Sequence, residues 1–139
     1  MMSETFKTQI SVRFRDLDAN AHVNHVVVLT YFEEGRKTFF LDFSKGSLPF
    51  IFPFIMAHIS CDYLKSISLD ARLLLQMWVS NIGNKSFSLR YKLVDLSDES
   101  IIYAKGESVQ VCYDYVQDKP IRIPLELKQI LDRYHLVGY

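Results

Sequence analysis

Polar and hydrophobic positions alternate at the start of the chain. Phe6, Ile10, Val12 and Phe14 interleave with Lys7, Gln9, Ser11 and Arg13, the period-two pattern of a strand with one buried face. At His25 the period changes. Val26, Val27, Val28, Leu29, Tyr31 and Phe32 put apolar side chains on nearly every side of a helix, and Phe39, Phe40, Leu41 and Phe43 continue it. Glu33, Glu34 and Lys37 form its one polar stripe. A helix apolar nearly all round belongs at the centre of a fold. Three consecutive β-branched residues lower its intrinsic propensity; length and the Glu33–Lys37 spacing favour it.

Pro49 and Pro53 mark a loop, and strand-like segments follow. Ile55, Ala57, Ile59, Cys61 and Tyr63 alternate with Met56, His58, Ser60 and Asp62. Arg72–Ile82, Lys85–Asp95 and Ile101–Tyr113 come next, with a polar connection at Lys65–Asp70. Gly83-Asn84 and Ser97-Asp98-Glu99 have the composition of hairpin turns. Pro124 stands where a short C-terminal helix, Leu125–Tyr134, would begin. The predicted order is β-α-β-β-β-β with a last short helix, in one α+β domain over residues 1–139. A long buried helix needs a strongly curved antiparallel sheet wrapped around it. A single sheet leaves edge strands open, which predicts pairing with a second copy.

Composition narrows the function. The 139 residues are 49% hydrophobic and 14% aromatic, enough for a packed core. Sixteen Lys and Arg balance sixteen Asp and Glu, which argues against a general nucleic-acid binder. The two cysteines, Cys61 and Cys112, make neither a disulfide framework nor a CxxC metal site. They read as free thiols in a reducing compartment. The N-terminus has no apolar signal core, and the longest apolar run is broken by Pro49 and Pro53 before it could span a bilayer. A cytoplasmic protein with no membrane span is expected.

The chemistry concentrates in Asp16-Leu17-Asp18-Ala19-Asn20-Ala21-His22-Val23-Asn24-His25, two carboxylates and two imidazoles where strand hands over to helix. First-turn N–H groups lie unpaired there and the helix dipole is positive. A carboxylate that activates water, beside N–H groups that hold an oxyanion, is machinery for acyl hydrolysis. Asp18 equally suits a turn or helix cap. His22 and His25 have metal-ligand spacing but no evident third ligand. No nucleophile elbow, dinucleotide fingerprint or P-loop is present.

Val12-Arg13-Phe14-Arg15-Asp16-Leu17-Asp18, His22-Val23-Asn24-His25 and Tyr31-Phe32-Glu33-Glu34-Gly35-Arg36 together resemble the signature of hotdog-fold acyl-CoA thioesterases. The nearest branch is the 4-hydroxybenzoyl-CoA thioesterase family. Ala57–Lys65, Ile82–Phe87, Ala104–Glu107 and Lys119–Pro124 extend the resemblance over nearly the whole chain. It implies a five-stranded sheet around a central helix, a homodimer or homotetramer with sites at the dimer interface, an acyl-CoA substrate, and no metal or redox cofactor. It implies that Asp18 is the catalytic carboxylate, as base or nucleophile. It implies too that the backbone N–H of His25 polarises the carbonyl, and that the His25 side chain serves as well, as in some bacterial members. This chain departs from the pattern at Asn20-Ala21, where a glycine is usual, at Ser66, where a proline is common, and at Val28, often tyrosine.

Asn24 fits the N-cap of the helix and lies beside the substrate position. His58, Lys65, Lys85 and Ser86 are the other candidate substrate contacts, with Arg72 and Arg90 as further cations for coenzyme A phosphates. His58 also suits plain packing. Phe40, Phe50, Phe52, Phe54 and Trp78 are candidate walls for an aryl or medium acyl chain. Arg36, on the apolar side of the helix, needs a carboxylate partner; Asp16 is the candidate. The rival functions are an acyl-carrier-protein thioesterase and a hotdog module that binds acyl-CoA without turnover.

Overall fold

The computed structural model describes residues 4–44 and 54–137, the side chains of 42–44 apart. The Pro49–Pro53 loop, Phe50, Phe52 and the Phe43 side chain lie outside the described residues. The alternating N-terminal segment is strand β1, Phe6–Ser11, followed by a single 3-10 turn at Phe14–Asp16. The central helix α1 spans His25–Ser44. Strands β2 (Phe54–Tyr63), β3 (Arg72–Ile82), β4 (Ser86–Asp95) and β5 (Ile102–Asp114) follow. A two-residue β6, Lys119–Pro120, pairs with β5. Helix α2, Leu125–Arg133, begins after Pro124 and buries Leu127 and Leu131.

All strand pairs are antiparallel, in the order β1-β3-β4-β5-β2. The expected element order is thus observed, with β6 added. Among the described strands β2 pairs with β5 alone, so this ten-residue strand is an edge of the sheet.

Helix α1 lies across one face of this sheet. Val28, Tyr31, Phe32, Phe39 and Phe40 are buried against Leu73, Leu75, Met77, Leu89, Tyr91 and Leu93. Two glycines let the layers approach. A Cβ on Gly35 would lie 2.3 Å from the Leu75 side chain, and one on Gly106 2.5 Å from the Phe32 ring and 2.8 Å from the Ser60 carbonyl. Phe32 therefore sits down on β5 and stacks on Tyr91, with centroids 4.5 Å apart.

The helix is not buried all round, contrary to what its composition predicts. Val26 is 57% exposed and Leu41 is also exposed. One sheet covers one side of a helix, so a position such as Val26 that faces away from it stays exposed.

Register also differs from the sequence pattern. Met56 pairs with Gln110 and His58 with Val109, so Ala57 is an extra residue, a bulge. Met56 is thereby turned toward α1, where it meets Arg36, while His58 stays on the outer face with Ser60 and Asp62. The expected common face for Met56 and His58 is not formed.

Candidate active site

The connection between β1 and α1 is tied down by Asp16, which is 2% exposed. Its Oδ2 accepts from the Arg13 amide at 2.9 Å and from the Tyr31 hydroxyl at 2.6 Å. The Arg13 guanidinium lies 3.5 Å from Oδ1. Burial pushes the Asp16 carboxyl up, but the Tyr31 hydroxyl, the Arg13 amide and its charge outweigh it and hold the group below its ordinary range. Tyr31 is raised, by burial first and then by Asp16. The expected Asp16–Arg36 pair is absent. Arg36 instead donates to the Tyr91 hydroxyl at 3.0 Å. The reason is position: Asp16 meets α1 at Tyr31, more than a turn before Arg36, and its acceptors are taken.

From Asp16 the chain makes a tight loop. The Asp18 amide donates to the His22 carbonyl and the Ala21 amide to the Asp18 carbonyl. Ala21 has φ of 61°, in the left-handed region. Glycine adopts this conformation without a Cβ penalty, and alanine occupies it here under strain. Asp18 Oδ1 accepts from the Asn20 amide at 2.9 Å, and Asp18 is otherwise exposed. Its turn role and an exposed, available carboxylate coexist.

Asn24 caps the helix, as its sequence position predicts. Its Oδ1 accepts from the Val26 amide at 2.9 Å and its own amide donates to the Asp16 carbonyl. The His25 amide is the first of α1 and has no acceptor among the described residues.

A cleft of about 370 Å³ opens at this helix end, lined by Asp18, His25, Val28, Tyr63, Lys65 and Tyr103, among others. The Tyr63 hydroxyl donates to the His25 carbonyl at 2.7 Å, and its ring meets the imidazole edge-on at 5.9 Å. Burial, then Cys61 beside it, keeps the Tyr63 hydroxyl above its ordinary value, so it remains a donor. The amides of Leu64 and Lys65 both donate to the Tyr103 carbonyl, which fixes Lys65 at the rim. Among the described residues, no group of three or more His, Cys, Asp or Glu could hold a metal ion, and no helix is long and apolar enough to cross a membrane.

Residues 12–131 match the family model of the thioesterase-like superfamily. The chain belongs to that superfamily. It is 24% identical over 132 residues to the acyl-CoA thioesterase YbgC of Haemophilus influenzae, 92% of this chain and 95% of that one. A predicted thioesterase from Bacillus stearothermophilus superposes with a TM-score of 0.87 at 23% identity, over 98% of this chain and 100% of that one. A thioesterase from Thermus thermophilus, crystallised with coenzyme A and zinc, gives 0.75 at 26% identity, over 90% of each chain. The fold is therefore the hotdog, and the protein is a member of a family of thioester hydrolases.

Within this thioesterase-like chain, Asp18, His25 and Lys65 line one cleft, with Asn24 beside them at the helix start. Lys85 and Ser86 do not join them in this chain. Cys112 donates to the Lys85 carbonyl, and the neighbouring Phe87 packs on Phe40 and Phe54, far along α1 from His25. His58 is exposed on the outer sheet face, away from α1. Trp78 and Arg90 line a different cleft on that outer face, with Glu107 holding Arg90 at 3.1 Å. Trp78 is thus no wall of a helix-side pocket, whereas Phe40 and Phe54 do pack together there at 4.8 Å. Tyr63 and Tyr103 escaped sequence reasoning. The signal for Tyr63 was its place on the helix-facing register of β2, which alternation alone gives.

Proposed function

We propose that the protein hydrolyses acyl-CoA thioesters to a free acid and coenzyme A. The observation that carries this is the cleft that Asp18, His25 and Lys65 line together, with Asp18 exposed and the first-turn N–H of His25 without an acceptor among the described residues. In this reading the thioester carbonyl oxygen accepts from the His25 N–H, where the helix dipole favours developing negative charge. Asp18 removes a proton from attacking water, or attacks the carbonyl itself to give a mixed anhydride that water then opens. The C–S bond breaks and coenzyme A leaves as thiolate. The His25 imidazole, which lines the same cleft, returns a proton to it in this reading. Lys65 contacts the coenzyme A phosphates. No metal or redox cofactor takes part.

The family's interfacial site also gives Lys85 and Ser86 a role. Antiparallel pairing of two copies along the open β2 edge sets Phe54 of one protomer near Tyr63 of the other. That carries the Lys85–Ser86 end of one protomer toward the cleft of its partner, where they contact substrate. Exposed Ile55, Leu64 and Val26 along this side support the pairing. Free Cys61 and Cys112 support a reducing, cytoplasmic setting. His58 keeps a substrate role only if the outer face is also brought to substrate.

The test is thiol release across short, long and aromatic acyl-CoAs. Asp18→Asn should lower turnover at least about a hundredfold while the fold is kept. Near-normal turnover on every acyl-CoA would remove Asp18 as the catalytic group. Hydrolysis confined to carrier-protein thioesters, or tight binding of acyl-CoA without turnover, would favour the rivals. Light scattering should show a dimer or tetramer; an active monomer would remove the shared site.

A further inference from the structure

A second polar cluster lies far from Asp18, on the same side of the central helix. His25 and Arg36 are eleven residues apart in α1, which places them about 20° apart around the axis and ~16 Å apart along it. Between them runs a strip of half-buried apolar side chains: Leu29 on the helix, with Ile59 and Cys61 on β2. The strip ends in a cleft of about 210 Å³ lined by Glu33, Arg36, Lys37, Phe54, Met56 and Gln110.

Gln110 is fully buried, and its carboxamide has an oxygen with no hydrogen-bond partner. Its nitrogen is directed at the Ser108 hydroxyl, which also bonds the Tyr91 hydroxyl, which in turn accepts from Arg36. The protons of this chain decide what the amide offers. Arg36 can only donate, so the Tyr91 oxygen accepts and the Tyr91 proton goes to Ser108. The Ser108 proton then needs an acceptor. A half-turn of the Gln110 amide supplies one, its carbonyl oxygen, and leaves the NH2 at the buried position that has no partner. The chain is then satisfied from Arg36 to Gln110, and the unmatched group is a donor. Lys37 is held by Glu33 at 3.7 Å, whereas the partner of Arg36 among the described residues is the neutral Tyr91. A cleft whose guanidinium has no carboxylate partner among the described residues, with an unmatched amide donor beside it, suits an anion, and a carboxylate above all.

We propose that this cleft receives the far end of the acyl group, and that the preferred acyl thioesters carry a terminal carboxylate there, recognised by Arg36 and Gln110. The inference rests on the thioesterase reading, in that the apolar strip carries the chain from the thioester at His25 to this cleft. The experiment compares thioesters of equal chain length that end in methyl or in carboxylate. The wild-type protein should prefer the carboxylate end in kcat/KM by about tenfold to a hundredfold, the range for hydrogen bonds to a charged group. Arg36→Leu and Gln110→Glu should each bring the ratio of the two rates to near one or below it. Equal rates for both thioesters in the wild type, or a ratio unmoved by both substitutions, overturns the proposal. Calorimetry with the free dicarboxylate against the free monocarboxylate separates the two readings. Selective, Arg36-dependent binding of the dicarboxylate without hydrolysis of any thioester would keep this cleft and reject the activity. Hydrolysis without that selectivity would keep the activity and reject the cleft's role.

Discussion

Tyr31→Phe removes a single oxygen from the buried junction that holds the Asp18 loop. The Tyr31 hydroxyl donates to Asp16 Oδ2 at 2.6 Å, and both residues are essentially inaccessible to water. A hydrogen bond to a charged group contributes about 1.5–3 kcal/mol. Asp16 keeps the Arg13 amide on the same oxygen, so no acceptor is orphaned outright and the lower half of that range applies. With a urea slope of about 1–3 kcal/mol per molar, the midpoint should fall by roughly 0.5–2 M at pH 7. The pH dependence follows from Asp16. Its folded value lies below the ordinary 3.8, so its ionisation adds stability that is fully present above the unfolded value and lost as pH falls through the folded one. Phenylalanine at 31 raises the folded value toward the ordinary one. The gap between wild type and variant should therefore be widest near neutrality and narrow below about pH 4. Unfolding at fixed protein concentration, followed by the single tryptophan and by far-UV circular dichroism, measures this. Equal midpoints at pH 7, or a gap that widens in acid, would refute the account of Asp16.

His25→Ala separates the two roles of that residue: turnover mostly retained assigns the backbone N–H alone, and a loss of roughly tenfold to a thousandfold in steady-state thiol release assigns the imidazole a proton transfer. We expect the loss. Gly106→Ala should lower the melting temperature by roughly 3–10 °C, since its Cβ would meet the Phe32 ring and the unyielding Ser60 carbonyl; a calorimetric scan unchanged from wild type would show that β5 can retreat from the helix.

Much of this fold can be read from periodicity because each element buries one face. β1 and β3 to β5 keep a regular inward register over most of their lengths, and the break of period at His25 falls at the first residue of α1. The proximity of candidate site residues was legible where they are close in sequence: Asp18, Asn24 and His25 meet because one loop and one helix start bring them together. Lys65 came from its place in a connection. Arg36 was misassigned because charge complementarity predicts that a half-buried cation finds a carboxylate, whereas packing gave it a tyrosine. Which of several polar residues faces a helix position across the sheet depends on strand order and offset, and those are tertiary facts.

The bulge at Ala57 shows how much a single such fact decides. In an unbroken strand, Met56 would share the outer face with His58, Ser60 and Asp62, and the helix-side cleft beside Gln110 would lack its thioether wall. The extra residue turns Met56 inward, against Gln110 and beside Arg36. Ile59 and Cys61 face the helix as well, so the apolar strip from His25 runs up to the bulge, and Met56 and Phe54 continue the inward face beyond it. The edge strand thus has two parts: an apolar stretch suited to the body of a chain, and a bulged end beside which Arg36 and Gln110 meet. A sheet edge that served only to pair with another copy would gain nothing from burying three linked polar side chains, Tyr91, Ser108 and Gln110, beneath it, since each costs desolvation. Their satisfaction around one unmatched amide is what a binding function for this end of the molecule predicts.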